Sequence, residues 1–205
     1  MKINRQKTLG SCATAFVGAA LLATGAVTVG AAQAQAAPAN SAGQGSASSS
    51  HKSASSFTVT IPGSNKGTLP VAYTCDGQSL SPALTWAGAP KGTASYAIVM
   101  DHVPPDGGHH WYLLEWGIPV GTRAIPAGST TSGVLGGNSV NRDIGYAPPC
   151  SKGPGAKTYT ITVYALSATP ALPTSSSASV TRDQLLSAIS GITLSKAVLD
   201  VTYTR

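Results

Sequence analysis

The sequence predicts an all-β or β-dominated domain with a single late helix. Three observations carry this. From Phe57 onward, short runs rich in Val, Ile, Thr and Tyr recur. In the clearest of them, "KTYTITVYAL", apolar residues and threonines alternate with the period of two of a half-buried strand. Gly and Pro, 23 and 14 of the 205 residues, punctuate nearly every junction between these runs. Only one segment carries the period, the cap and the stop of a helix.

Taken in chain order, the first segment precedes that domain. Residues 1–36 open on the basic "MKINRQK", continue through the apolar small-residue run "ATAFVGAALLATGAVTVGAA" and end in "AQAQA". That is the three-part pattern of a secretory signal peptide, with cleavage expected after Ala36. An uncleaved anchor is the alternative, since about 20 apolar residues suffice to span a bilayer. The run is dominated by Ala, Gly and Thr rather than Leu or Ile, which favours cleavage. Cys12 lies ahead of the run rather than after it, against a lipidated cysteine. Residues 37–56 are low-complexity Ser, Ala and Gly, too poor in apolar surface to offset ordering entropy, and read as a flexible linker in which His51 has no role.

Residues 57–205 have the length of one ordinary domain, with no internal repeat. "SFTVTI" alternates and stops at Pro62. "ASYAIVM" is nearly continuous in apolar residues, as expected of a strand buried on both faces. "WYLLEWGI" stops at Pro119. In "KTYTITVYAL", Tyr159, Ile161, Val163 and Ala165 share one face. "TRDQLLSAISG" has Thr181 as N-cap, Gln184 three residues on to complete a capping box, and a stripe of Leu185, Leu186 and Ile189. Gly191 stands where a left-handed C′ residue would. "AVLDVTY" is the last strand.

Charge excludes one function class. The full chain is +6, and loss of residues 1–36 removes Lys2, Arg5 and Lys7, leaving ten basic to seven acidic side chains. There is no basic run and no aromatic-basic stripe, so no nucleic-acid partner is expected. Cys75 and Cys150 remain after cleavage. In an oxidising compartment they permit one disulfide, and two buried thiols are the other reading.

The chemistry-bearing residues concentrate in "MDHVPPDGGHHW", which holds three of the chain's four histidines: His102, His109 and His110. With Asp101 or Asp106 they would supply enough nitrogen and oxygen donors for zinc or copper. Adjacent residues on a strand point to opposite faces, however, so His109 and His110 reach one ion only across a bend. His102 and His109 are therefore a weak metal alternative. No G-x-S-x-G nucleophile elbow occurs in the domain, and no base is paired by any motif to Ser81, so no catalytic residue and no cofactor are expected.

Four blocks in order resemble the phosphatidylethanolamine-binding protein family, in its bacterial, Raf-kinase-inhibitor-like branch. They are "YTCDGQSLSPALTW", "IVMDHVPPDGGHHWYLLEWGIP", "GGNSVNRDIGYAPPC" and "KTYTITVYAL". The resemblance covers essentially all of residues 57–205. It implies a central, antiparallel-rich sheet packed on a second sheet, with a helix near the C-terminus. It also implies a pocket for a small anion, such as phosphate or a phospholipid headgroup. By that analogy Asp101, His110 and Tyr159 line the pocket, Tyr146 and Trp111 wall it, and the backbone through Cys150 forms its lip. A histidine oriented by a carboxylate and a tyrosine hydroxyl are suitable donors to an anion. Departures accompany the match: Val103 stands where the family carries a second aspartate, and Lys157 where it carries a histidine. These imply a more positive pocket, with anion binding retained.

The function expected from the resemblance is thus an exported, non-catalytic binding protein for a phosphate-containing small molecule or lipid headgroup, with membrane association at most peripheral. The alternatives are a secreted inhibitor of a protease or kinase, acting on a protein partner, and a metal-binding histidine loop.

Overall fold

The computed structural model describes residues 56–64 and 67–205. The expected signal peptide, and the expected linker through residue 55, lie outside the described residues. The described chain folds as β1 (Thr58–Thr60), a 3-10 turn (Val71–Tyr73), β2 (Leu84–Ala87), β3 (Ser95–His102), β4 (His110–Pro119), β5 (Ala124–Ile125), β6 (Val134–Leu135), β7 (Lys157–Leu166), α1 (Arg182–Ile189) and β8 (Thr193–Tyr203). Two sheets form, β1-β2-β5 and β6-β4-β3-β7-β8, and every neighbouring pair is antiparallel.

The large sheet carries apolar side chains on both faces. One face packs on the small sheet: Tyr96, Ile98 and Met100 of β3 and Tyr159, Ile161 and Val163 of β7 meet Val59, Trp86 and Ile125. The other face packs under α1, where Leu185 and Ile189 meet Ala97, Val99, Leu114 and Trp116. Burying each such helix side chain contributes roughly 1.5–3 kcal/mol. β3 lies between β4 and β7, so Ser95 to Asp101 are all buried, as the continuous apolar run predicts.

The alternation along β3 positions the site. Even-numbered residues face the small sheet and odd-numbered residues face the helix, so Asp101 and His102 point to opposite sides. β4 stays in step through a bulge: Met100 pairs with Leu113 and Asp101 with Trp111, leaving Tyr112 as the extra residue. Tyr112 and Leu113 consequently both enter the inter-sheet core, Trp111 turns toward the helix side, and His110 comes opposite His102.

Elements depart from expectation at their ends. The first strand shrinks to Thr58–Thr60, and β8 begins at Thr193 rather than at Ala197. The capping box of α1 forms, with the Thr181 side chain accepting from the Gln184 N–H and Gln184 accepting from the Thr181 N–H. Gly191, however, is not left-handed. The helix tightens instead into short-range bonds at its last turn, with the Ile192 N–H donating to Ile189 O at 3.1 Å. No helix among the described residues is long and apolar enough to cross a membrane.

Candidate functional site

Where β3 and β4 part, a cavity of about 710 Å³ opens at the end of the large sheet. His102 and His110, direct cross-strand partners, line it from the two strand ends. Tyr112, the bulge residue, and Tyr159 of β7 form its floor. Their rings meet edge to face with centroids 5.3 Å apart, and His102 lies 5.3 Å from the Tyr159 ring. Thr158 O accepts a hydrogen bond from His102 Nδ1 at 2.7 Å. A carbonyl can only accept, so Nδ1 carries the proton and Nε2 is the nitrogen left to the cavity.

The phenols are held neutral. Burial pushes the Tyr159 hydroxyl well above its ordinary value, with the neighbouring Tyr112 adding to the shift. Burial likewise raises Tyr112, partly opposed by its hydrogen bond with Tyr159. The two hydroxyls are bonded to one another, so the floor has one hydroxyl proton left to offer and carries no negative charge.

The third wall comes from the segment after Pro149. Cys150, Ser151 and Lys152 line the cavity, and Lys157, half-buried at the start of β7, closes it. Cys150 is disulfide-bonded to Cys75, which settles the two readings of these cysteines. The Cys75 N–H also donates to Pro149 O at 3.0 Å. Asp76 anchors the same corner, accepting from the Tyr203 hydroxyl and pairing with Arg205 at 3.1 Å. Gly77 is required by crowding: a Cβ there would lie 2.0 Å from Val71 O in the 3-10 turn. His102, His110, Lys152 and Lys157 all line the cavity, and none of its lining residues is an Asp or Glu.

Of the residues the sequence singled out, His110, Cys150, Lys157 and Tyr159 are brought together. Three are placed elsewhere. Asp101 faces the helix side, where its carboxylate accepts from Arg182 Nε at 2.6 Å, and so it does not orient His110. Trp111 shares that side and donates its indole N–H to Gly137 O at 2.7 Å. Tyr146 stands behind the floor among Tyr73, Tyr112 and Tyr159, with its hydroxyl donating to Tyr73 O. His102, expected only as a weak metal ligand, lines the cavity; His109 is exposed and does not line it. Among the described residues no three His, Cys, Asp or Glu side chains converge in a group that could hold a metal. Tyr112, Ser151 and Lys152 were missed. The parity that buries "AIVM" was a usable signal for His102, whereas nothing in "WYLLEW" marks the bulge that turns Tyr112 inward.

Fold and site together define a class: a two-sheet β protein with a donor-lined pocket at one end of its larger sheet. The family model described as phosphatidylethanolamine-binding protein matches residues 60–204, and the chain belongs to that family. A UPF0098 protein of Methanothermobacter thermautotrophicus is 30% identical over 148 residues, covering 69% of this chain and 93% of that relative. A Mycobacterium tuberculosis protein named as a lipoprotein, LppC, is 34% identical over 109 residues, covering 51% of this chain and 52% of its own length. The chain thus spans from about half to about nine-tenths of the curated relatives it matches. Among solved structures, a phosphatidylethanolamine-binding protein homologue from Chlamydia trachomatis superposes with a TM-score of 0.65 at 26% identity, covering 73% of this chain and 97% of that one.

Proposed function

We propose that this chain is an exported, non-catalytic binding protein whose cavity takes a phosphate-containing anion. The observation that carries the reading is the cavity lining. Two lysines supply positive charge, and His110 and the neutral tyrosine floor add hydrogen-bond donors, with no carboxylate to compete for them. Anions are held in proteins by this combination of charge-assisted and neutral donors. Catalysis is not required to account for it: the site has donors for an anion and no nucleophile paired to a base.

Export has two supports. A disulfide at Cys75–Cys150 fits an oxidising compartment, and one relative is named as a lipoprotein. Mass measurement of the protein recovered from outside the cytoplasm should give the chain beginning at Ala37. The binding reading is tested by titrating that protein with inorganic phosphate while following the histidine ring resonances by NMR. Saturable shifts at His102 and His110 are expected, and His110→Ala should weaken the binding that His102 reports. Absence of saturable binding at low salt would refute the pocket.

A further inference from the structure

The helix side of β4 carries a second, smaller cavity, of about 310 Å³. Trp111 walls it, with Gly137, Asn138, Ala178, Thr181 and Arg142. Only Ser139 is shared with the cavity at the strand ends. The walls are tightly built. The Gly137 N–H donates to Val180 O at 3.1 Å, and a Cβ on Gly137 would lie 2.4 Å from Ala178 O, so the two segments approach more closely than a side chain allows. Asn138, 3% exposed, folds the next loop onto itself: its side-chain oxygen accepts from the Val140 and Asn141 N–H groups, and its amide donates to Asp143 O. The Trp111 indole N–H is committed to Gly137 O, so what this side chain has left to offer a ligand is its ring.

Arg142 is the residue this arrangement does not explain. Its φ is +66°, in the left-handed region that glycine enters freely and a long side chain enters at a cost. The turn itself would be better served by glycine. Arg142 is exposed, and among the described residues its guanidinium has neither an ion-pair nor a hydrogen-bond partner. A strained position that keeps a free charge beside a preformed cavity points to a role in binding. Arg142 is the only cation lining this cavity, and no Asp or Glu lines it.

We propose that this cavity binds a small aromatic carboxylic acid, with the carboxylate paired to the Arg142 guanidinium and the ring packed on Trp111. The single cation sets the charge, since it matches a monoanion and leaves a dianion half compensated. The planar fork of a guanidinium fits a carboxylate through two parallel hydrogen bonds. The indole favours a flat aromatic body. The volume lies at the low end of the roughly 300–1,000 Å³ of small-molecule pockets, enough for one or two rings.

Benzoate, titrated at neutral pH, probes the site. Trp86 and Trp116 are 3% and 1% exposed and Trp111 is half-buried, so the Trp111 indole N–H resonance is the reporter. A saturable shift is expected there, while the ring resonances of His102 and His110, in the other cavity, stay in place. Benzamide, which keeps the ring without the charge, and acetate, which keeps the charge without the ring, should each bind at least about tenfold more weakly. Arg142→Gly relieves the left-handed backbone, so it should melt no lower than the parent and yet bind benzoate at least about tenfold more weakly. No saturable shift at Trp111 up to tens of millimolar benzoate overturns the proposal. So does equal binding of benzoate and benzamide, parent-like affinity in a folded Arg142→Gly, or movement of the histidines in place of Trp111. The two cavities have no charged residue in common, so failure of phosphate to bind at the strand ends leaves this inference standing.

Discussion

Glu115 is the residue least suited to its surroundings. It sits on β4 opposite Ile98 and Leu135, 2% exposed, with Oε1 lacking a partner. Burial pushes its carboxyl from 4.5 up to about 7, only partly opposed by a hydrogen bond from the Gly133 backbone. The backbone can come that close because residue 133 has no Cβ: one placed there would lie 2.5 Å from Trp116 O. Between pH 4.5 and about 7 the folded chain keeps a proton that the unfolded chain has released. Stability therefore falls as pH rises through that window and levels off above it, by roughly 3 kcal/mol in all. Glu115→Gln should remove this slope and leave the variant more stable than the parent above neutrality. Urea melts of both proteins across the window measure it, and parallel pH profiles would rule it out.

At the scale of elements, α1 was legible before any coordinates, because its signals are local. Thr181 and Gln184 cap it reciprocally, and the stripe of Leu185 and Ile189 buries. Thr181→Ala should cost about 1 kcal/mol, read from denaturant melts. What docks the helix was not legible. Arg182, its first residue, donates to Asp101 on β3, a contact spanning 81 residues whose carboxylate the family resemblance had placed in the pocket. Strand parity would have separated Asp101 from His102, but a bulge resets parity on the partner strand, and a bulge has no signature in "WYLLEW". β7 shows the opposite case. Unbroken alternation placed Tyr159, Ile161, Val163 and Ala165 on one face, and all four are in the inter-sheet core. The short strands β2, β5 and β6 carry too few residues for a period to register. If Asp101 serves the helix, Asp101→Asn should lower stability by about 2 kcal/mol and leave phosphate affinity unchanged. A loss of affinity with stability intact would return Asp101 to the pocket.

Over the whole molecule, one covalent link joins what the chain order keeps apart. The Cys75–Cys150 bond ties the 3-10 turn region, 75 residues upstream, to the pocket wall that carries Ser151 and Lys152. A link closing a loop of that length lowers the entropy of the unfolded chain, worth about 4 kcal/mol on the chain-entropy model. The same bond fixes the wall locally, because Cys150 adjoins Ser151 and Lys152, which line the cavity, and Pro149 O is held by the Cys75 N–H. Stability and binding should therefore fall together on reduction. The wall need not await global unfolding, however, since a segment held by a disulfide and a few hydrogen bonds can open locally when the disulfide is lost. A Cys75→Ser, Cys150→Ser double variant should melt several degrees below the parent. At temperatures where it is still fully folded, it should bind phosphate more weakly, by a factor of several. Thermal melts by circular dichroism and phosphate titrations on the same samples separate the two effects. Lowered melting with unchanged affinity would mean that the disulfide secures the fold alone and that packing of the lip against Tyr112, whose carbonyl accepts from the Ala147 N–H at 2.9 Å, is enough to hold the wall in place.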